Sequence, residues 1–337
     1  MSTSEATQRS KTETRVIPLK VAILIPCYNE EVTITETIRA FHAELPEAQI
    51  YVFDNNSSDR TAEFATQAGA HVLREPRQGK GFVVQTMFRR VEADVYIMVD
   101  GDATYPAQAV HRLIGPILSD EADMVVGSRL QSETRSEFRQ LNRWGNKLAL
   151  AILNSIFGVR LTDILSGYRA FNRKFVKAVP LFGGGFEIET ELTIKAVARG
   201  FRIMEIPTTL TSRPAGSNSK IKFFRDGFII LNTILALFRD YKPLTFFGSV
   251  GLVLVLLALL PGIMVVINVA RTGVLTSLSV AVLAIALGLT GMLSMVVGLI
   301  LHTIVRRFQE IEHTLAVRGE ADLSVAPTRV GSTRDEL

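Results

Sequence analysis

Val95-Tyr96-Ile97-Met98-Val99-Asp100-Gly101-Asp102 sets an apolar run against two carboxylates one residue apart. A short continuous apolar run bounded by a turn reads as a buried strand. The acids then stand at its carboxyl end, where they can share one hard cation or meet one cationic group. Magnesium and manganese prefer oxygen ligands and fill their remaining positions with water or phosphate oxygens. Gly101 lets the backbone pass close to a ligand, and Pro106 can open the next helix. A solvated acidic turn has the same local sequence, because D-x-D is frequent by chance. The surrounding pattern has to decide.

Outward from this stretch, apolar runs alternate with helical segments. Strands are expected at Val21–Ile25, Ile50–Phe53, His71–Leu73, Val95–Val99, Met124–Val126 and Arg202–Thr209. Helices are expected over Glu31–Leu45, Arg60–Ala68, from Gly79-Lys80-Gly81 to Arg90, Pro106–Leu118, Arg139–Phe157, Asn172–Leu181 and Glu187–Arg199. Gly183-Gly184-Gly185 reads as a flexible connection, and Arg213–Lys220 as a polar loop. Such alternation predicts an α/β fold with a mostly parallel sheet covered on both faces. Ligands bind such sheets beyond the strands' carboxyl ends, at a topological switch point. The polar clusters Tyr28–Glu30, Asp54–Asp59 and Asp100–Asp102 all fall at strand ends, which points to a nucleotide site.

The chain has 337 residues, 47% of them hydrophobic, with a formal charge of +4. Its mean hydropathy is +0.26 and its pI about 9.2. So small a net charge does not imply a nucleic-acid partner. One cysteine, Cys27, excludes an intramolecular disulfide framework and a Cys-based zinc cluster. A small buried thiol is its simplest reading. The five histidines show no metal-ligand spacing. Residues 1–16 are polar and rich in Ser and Thr, read as a disordered tail rather than a secretory signal.

The excess apolarity lies in the C-terminal third. Residues 221–242 place polar side chains at helical spacing around Phe223, Phe224, Phe228, Leu231, Leu235 and Phe238. That is the pattern of an interfacial amphipathic helix. Residues 243–306 then hold two transmembrane helices, about 244–270 and 278–305, each long enough to cross a hydrocarbon core of about 30 Å. Within them only His302 is ionisable, read as a snorkelling or packing residue. Arg225, Arg239 and Lys242 precede the hairpin, Arg306 and Arg307 follow it, and its loop carries Arg271 alone. The positive-inside rule then makes this an integral inner- or plasma-membrane protein, with the large domain (17–220) and the tail (307–337) cytoplasmic. Gly288, Gly291, Ser294 and Gly298 would allow close helix contact in a homo-oligomer.

Seven pieces recur in order: Ile25-Pro26-Cys27-Tyr28-Asn29-Glu30; Asp54 with Ser58-Asp59; Gly79-Lys80-Gly81; Asp100 and Asp102; Gly127-Ser128-Arg129; Asp163 with Ser166-Gly167-Tyr168-Arg169; and Arg213 through Ser219-Lys220. Together they resemble the family 2 glycosyltransferases of GT-A (Rossmann-like) fold, and more narrowly the polyprenyl-phosphate glycosyltransferases of the dolichol-phosphate mannose synthase group. The resemblance spans Val21 to Pro243, roughly two thirds of the chain. It implies that Pro26, Tyr28, Glu30 and Asp54 hold the nucleotide of a sugar donor. Lys80 would offset phosphate charge, and Arg213 and Lys220 would belong to a loop closing over the diphosphate. Asp100 and Asp102 would carry Mg2+ or Mn2+, with Thr104, often Gln in relatives, at the edge of that shell. Arg129, with one or both of Arg139 and Arg143, would hold the phosphate of a polyprenyl phosphate. Asp102, Asp163 and Arg129 would form the catalytic set, Asp163 acting as a base or orienting Arg169 or the sugar. Glu187 and Glu189 could do related work, or merely favour a helix N-terminus.

The implied reaction is inverting transfer of one sugar, from a nucleotide donor expected to be UDP-linked, to polyprenyl phosphate at the cytoplasmic leaflet, serving envelope glycan or lipid A modification. Its rivals are transfer to another lipid or glycan acceptor, and a non-catalytic membrane nucleotide-binding protein. A degenerate domain would be expected to lose its acids, yet Asp100, Asp102 and Asp163 are present. A nucleotidyltransferase would carry a Gly-rich, Arg-containing loop where Cys27–Glu30 stand. Gln140-Leu141-Asn142-Arg143-Trp144 matches the Q-x-x-R-W motif of processive synthases, but it precedes Asp163 instead of following it.

Overall fold

The computed structural model describes residues 19–129, 150–185, 187–211 and 223–325. The chain divides into two units, Met1–Thr233 and Ile234–Leu337. The first is built on β1 (Val21–Cys27), α1 (Ile34–Glu44), β2 (Gln49–Asp54), α2 (Thr61–Gln67), β3 (His71–Arg74), α3 (Lys80–Arg90), β4 (Val95–Met98) and α4 (Val110–Leu118). It continues with β5 (Met124–Ser128), helical residues 150–157 (α5), β6 (Arg169–Asn172), α6 (Arg173–Ala178), α7 (Ile188–Ala198) and β7 (Ile203–Pro207). The expected tail at residues 1–16 lies outside the described residues.

Among the described residues, seven strands form one sheet in the order β3-β2-β1-β4-β6-β5-β7. The chain runs outward from β1 to β3 and then returns to the other side of β1 as β4, so the switch point lies between β1 and β4. Alternate residues of each strand serve opposite faces. Ile23 and Ile25 of β1 pack with Ile34, Ile38 and Phe41 of α1 and with α4. Ala22 and Leu24 pack instead with Val83, Val84 and Met87 of α3 and with α6 and α7. Burial on both faces is why these strands read as continuous apolar runs rather than alternating ones.

All pairings are parallel except those of β6, which lies antiparallel between β4 and β5. The sequence pattern does not anticipate this strand: Arg-Ala-Phe-Asn is short and begins with a charge. Arg169 is nonetheless fully buried. Its guanidinium donates to the carbonyls of Ser166 (Nε, 2.9 Å) and Ile164 (Nη2, 2.9 Å) and to Thr193 Oγ1 (Nη1, 2.9 Å). It ties the start of β6 to the loop before it and to α7.

The amphipathic segment forms α8 (Phe223–Tyr241), and α9 (Pro243–Thr272) and α10 (Leu278–Val325) follow. Pro243–Thr272 and Leu278–Ile311 are long and apolar enough to cross a membrane. The final helix passes well beyond the expected end of its span at 305, so much of the expected tail, as far as Val325, is helical. A Cβ on Gly251 would meet the carbonyl of Gly291, and one on Gly298 would meet Phe247. Ser294 Oγ donates to the carbonyl of Phe247 at 2.9 Å, and Gly288 lies against Ala258. The small residues expected to serve an oligomer are therefore used inside the hairpin, between α9 and α10. They carry no argument for association between copies.

Arg169→Leu would remove the donors of two buried carbonyls and one hydroxyl. It is expected to destabilise the first unit by about 3 kcal/mol, read as a lowered melting temperature of the detergent-solubilised chain.

Candidate active site

The loop after β4 is held from three sides. Thr33 Oγ1, just before α1, donates to the carbonyl of Gly101 at 2.7 Å, and Thr37 Oγ1 reaches the same oxygen at 3.4 Å. Beneath it, a Cβ on Gly101 would meet Cys27 Sγ at 2.8 Å, so the small thiol at the end of β1 fills the space under the turn. Beyond β7, Thr211 donates from N and Oγ1 to the carbonyl of Thr104, each at 3.0 Å. Ala103 takes the left-handed conformation at φ 56°, a strained choice for a residue with a side chain and one that concentrates at functional sites.

Asp102 is buried. Its Oδ1 accepts from the Thr104 hydroxyl at 2.6 Å and from the Thr104 amide at 3.2 Å. Thr104 thus holds Asp102 Oδ1 through both its hydroxyl and its amide. Asp100 sits against Gly167, where any Cβ would collide with its carboxylate. Lys80, the first residue of α3, places Nζ 2.5 Å from Asp100 Oδ1 and 2.5 Å from Glu189 Oε1 on α7. Burial alone would lower the Lys80 pKa; the two carboxylates outweigh it and hold the ammonium above the ordinary lysine range.

The backbone that carries Lys80 is pinned. Gly79 and Gly81 face Gly184 and Gly183, and a Cβ at either position would strike a carbonyl oxygen there. Gly81 N donates to the carbonyl of Gly184 at 3.2 Å. The glycine-rich turn is itself clamped, with Glu191 accepting from the amides of Phe182 (3.0 Å) and Gly183 (2.7 Å), and Glu187 from that of Gly185 (2.9 Å). Glu191 also pairs with buried Lys195 at 2.6 Å. The turn expected to be a flexible connection is in fact a shaped support.

At the end of β5, Arg129 forms a fork with Asp163: Nε to Oδ2 at 2.7 Å and Nη2 to Oδ1 at 2.9 Å. The Arg129 amide adds a bond to Oδ2 (3.1 Å) and that of Leu165 one to Oδ1 (3.0 Å). From β7, Glu205 accepts from the amide of Asp163 at 2.9 Å. Burial pushes the Asp163 pKa up, but Arg129 and the backbone donors outweigh it and keep the carboxyl below the usual aspartate range. A carboxylate held by so many donors is a poor base. Asp163 is bonded to Arg129, whereas the Arg169 guanidinium bonds Ser166, Ile164 and Thr193.

Pro26, near the end of β1, is half-buried and Tyr28, just after it, is exposed, and the amide of Glu30 donates to Thr61 Oγ1 at 2.8 Å. Asp54 ends β2, buried, accepting from the Ser57 amide at 3.2 Å. Its neighbour Asn55 donates to the carbonyls of Glu75 (3.0 Å) and Arg77 (2.7 Å) and accepts from the Gly79 amide (2.7 Å). The Asn55 side chain thus holds the loop leading to Lys80. Arg139, Arg143, Arg213, Lys220 and the Gln140–Trp144 match lie outside the described residues. Glu205 and Thr33 had no sequence signal beyond a polar residue in a strand and a threonine before a helix.

The chain matches the family model described as Glycosyl transferase family 2 over residues 22–179. It is 37% identical over 235 residues to Glycosyltransferase AglJ from Haloferax volcanii, a match covering 69% of this chain and 77% of that protein. The chain belongs to the family 2 glycosyltransferases. It is also 28% identical to Undecaprenyl-phosphate mannosyltransferase from Micrococcus luteus, over 59% of this chain and 87% of the relative. Among solved structures, glucosyl-3-phosphoglycerate synthase from Mycobacterium tuberculosis, in complex with Mn2+, UDP-glucose and phosphoglyceric acid, superposes with a TM-score of 0.54 at 22% identity. That superposition covers 65% of this chain and 80% of the other. The same enzyme has been solved with Mg2+ and UDP. At this identity the likeness shows the GT-A-like fold.

In this glycosyltransferase the Arg129–Asp163 pair predicts a pH signature. Because the folded pKa of Asp163 is depressed, its contribution is complete above the unfolded aspartate value of about 3.9 and is lost as pH falls through the folded value. Asp163→Asn should cost about 1–3 kcal/mol at neutral pH. That deficit should shrink below about pH 4, as read by urea titrations across pH.

Proposed function

We propose that the protein transfers one sugar, with inversion, from a nucleotide diphosphate donor to a polyprenyl phosphate at a membrane surface. The observation that carries this reading is the gathering of Lys80, Asp100 and Asp102 with the Arg129–Asp163 fork around the carboxyl ends of β1, β4 and β5, in a chain that continues into two helices of membrane-spanning length. The named activity of the Micrococcus relative and the UDP-glucose complex of the structural neighbour support acceptor and donor respectively.

Asp100 and Asp102 suit a divalent cation of the magnesium or manganese type. Among the described residues no group of three or more His, Cys, Asp or Glu side chains could enclose a metal. Two carboxylates alone suit an ion that completes its shell with diphosphate and water oxygens. When bound, the metal would stabilise the charge that develops on the departing nucleoside diphosphate. Lys80 adds a second positive charge to the same group, from a backbone that cannot shift.

The acceptor needs no strong base, because a lipid phosphate already carries a nucleophilic oxygen. It needs to be held in line with the anomeric carbon. Asp163 fixes the Arg129 guanidinium through Nε and Nη2, which leaves Nη1 for the acceptor phosphate. The phosphate oxygen forms its bond to the anomeric carbon as the bond to the diphosphate oxygen breaks, so configuration inverts. Tyr28, Glu30 and Asp54 hold the nucleotide in this reading, with Arg139, Arg143, Arg213 and Lys220 adding cations to the two phosphates.

The domain boundaries follow the same logic, with a catalytic part over 17–220, an interfacial helix over 221–242 and a membrane hairpin after it. Arg239, Lys242, Arg306 and Arg307 flank the hairpin's two outer ends, and Arg271 alone lies between the helices. This distribution favours a cytoplasmic catalytic part.

Incubating the full chain with labelled nucleotide sugars, polyprenyl phosphate and Mn2+, then extracting lipid, tests the proposal. One donor is expected to label the lipid phase, and Asp102→Asn to cut the rate on the order of 10²–10³-fold. No lipid label from any donor would rule out the acceptor. Undiminished transfer in chelator would rule out the metal role.

A further inference from the structure

The described ion pairs of the site contain one arrangement that nucleotide binding alone does not explain. Lys80 does not wait beside the metal-side carboxylates; its ammonium lies on one of them, 2.5 Å from Asp100 Oδ1, with Glu189 Oε1 at the same distance on its other side. Glu189 is itself nearly inaccessible, 5% exposed. A divalent cation cannot share Asp100 Oδ1 with an ammonium at that distance, since both are positive and the site is largely shielded from water.

We propose that Lys80 and the divalent cation are mutually exclusive on Asp100 Oδ1, and that Glu189 is the positioning residue that keeps Lys80 in the site when it leaves. This rests on the reading of Asp100 and Asp102 as the metal carboxylates. The lysine stem is a flexible four-carbon chain, whereas its backbone is pinned between Gly79 and Gly81 against the turn at Gly183–Gly184. Only the ammonium end can move. The Asp100 carboxylate lies against Gly167, where no side chain could be accommodated. A donor diphosphate brings several negative charges, draws Lys80 off Asp100 and frees that oxygen for the cation. Glu189 holds the ammonium within reach of both positions.

The consequence is an energetic link between nucleotide and metal. Each tightens the other's binding, and the link is reciprocal. Without nucleotide the lysine competes with the metal; with nucleotide it joins in binding the diphosphate. Removing Lys80 should therefore improve metal binding in the free enzyme, which is opposite to what loss of a merely structural residue would do. Removing the charge of Glu189 leaves Lys80 with Asp100 as its remaining partner and should weaken metal binding in the free enzyme.

Mn2+ titrations of the full chain in detergent micelles, followed by the electron paramagnetic resonance of free Mn2+, test this with and without UDP. UDP is expected to tighten Mn2+ binding to the wild type about tenfold or more. Lys80→Met should tighten Mn2+ binding without UDP by a similar factor and reduce the gain from UDP. Glu189→Gln should shift UDP-free binding the other way. If wild type binds Mn2+ with UDP and Asp102→Asn abolishes it, yet both variants leave UDP-free binding unchanged or both weaken it, the exclusion is wrong while the metal site stands. If wild type takes up no Mn2+ even with UDP, the metal reading itself falls, and the exclusion with it. Melting curves identify a variant that fails to fold; if that is Lys80→Met, the direction of the Glu189→Gln shift decides.

Discussion

Between β4 and β5 the sheet has room for one strand, and the chain enters it from the carboxyl edge, so Arg169–Asn172 runs antiparallel to both neighbours. The rest of the site depends on that direction. A parallel strand would begin at the opposite edge and carry the preceding loop away from the acids. Running backward, β6 puts Gly167 against Asp100 and Asp163 beside Arg129, at the same edge as the ends of β1 and β4. The buried Arg169 secures this entry by bonding the carbonyls of Ile164 and Ser166. Each unsatisfied buried carbonyl would carry a desolvation cost of about 1–3 kcal/mol. The guanidinium therefore serves the architecture, although its neighbours in sequence serve the site.

Charge is balanced in the same economical way. Buried carboxylates are tolerated when paired and hydrogen-bonded, and the described site pairs Asp100 and Glu189 with Lys80 and Asp163 with Arg129. The Arg129 guanidinium is thereby held in one orientation by both carboxylate oxygens of Asp163. The supports behind these pairs are backbone contacts: Gly79 and Gly81 on Gly183 and Gly184, Asn55 on the loop from Glu75 to Gly79, Thr33 on Gly101. Backbone supports are stiff, so the movable parts of the site are reduced to side-chain ends.

The second unit follows a different rule. Its helices expose leucine, isoleucine and valine almost throughout, a surface that suits hydrocarbon. Apolar burial gives helices little reason to associate in lipid, and close packing of small residues takes its place. Gly251, Gly291, Ser294 and Gly298 supply it between α9 and α10.

Much was legible in the sequence because it is local. Apolar-rich runs of three to eight residues marked six of the seven described strands, and those buried on both faces need no polar alternation. Asp100, Asp102, Asp54 and Lys80 could be placed at strand ends or a helix start for the same reason, and length with apolarity marked the two long helices. What only the tertiary structure decided is which charges meet. Lys80 is paired with Glu189 across more than a hundred residues, Asp163 with Arg129 rather than Arg169, and Thr104 with Asp102. β6 escaped notice because a four-residue strand opened by arginine has no periodic signal, and its place depends on neighbours distant in the chain. The small residues of α10 looked like an oligomer surface because a stripe shows only that something packs closely, and the fold supplied α9. Periodicity records how one segment meets its surroundings; partnership between segments arises only once the sheet order and strand directions are set.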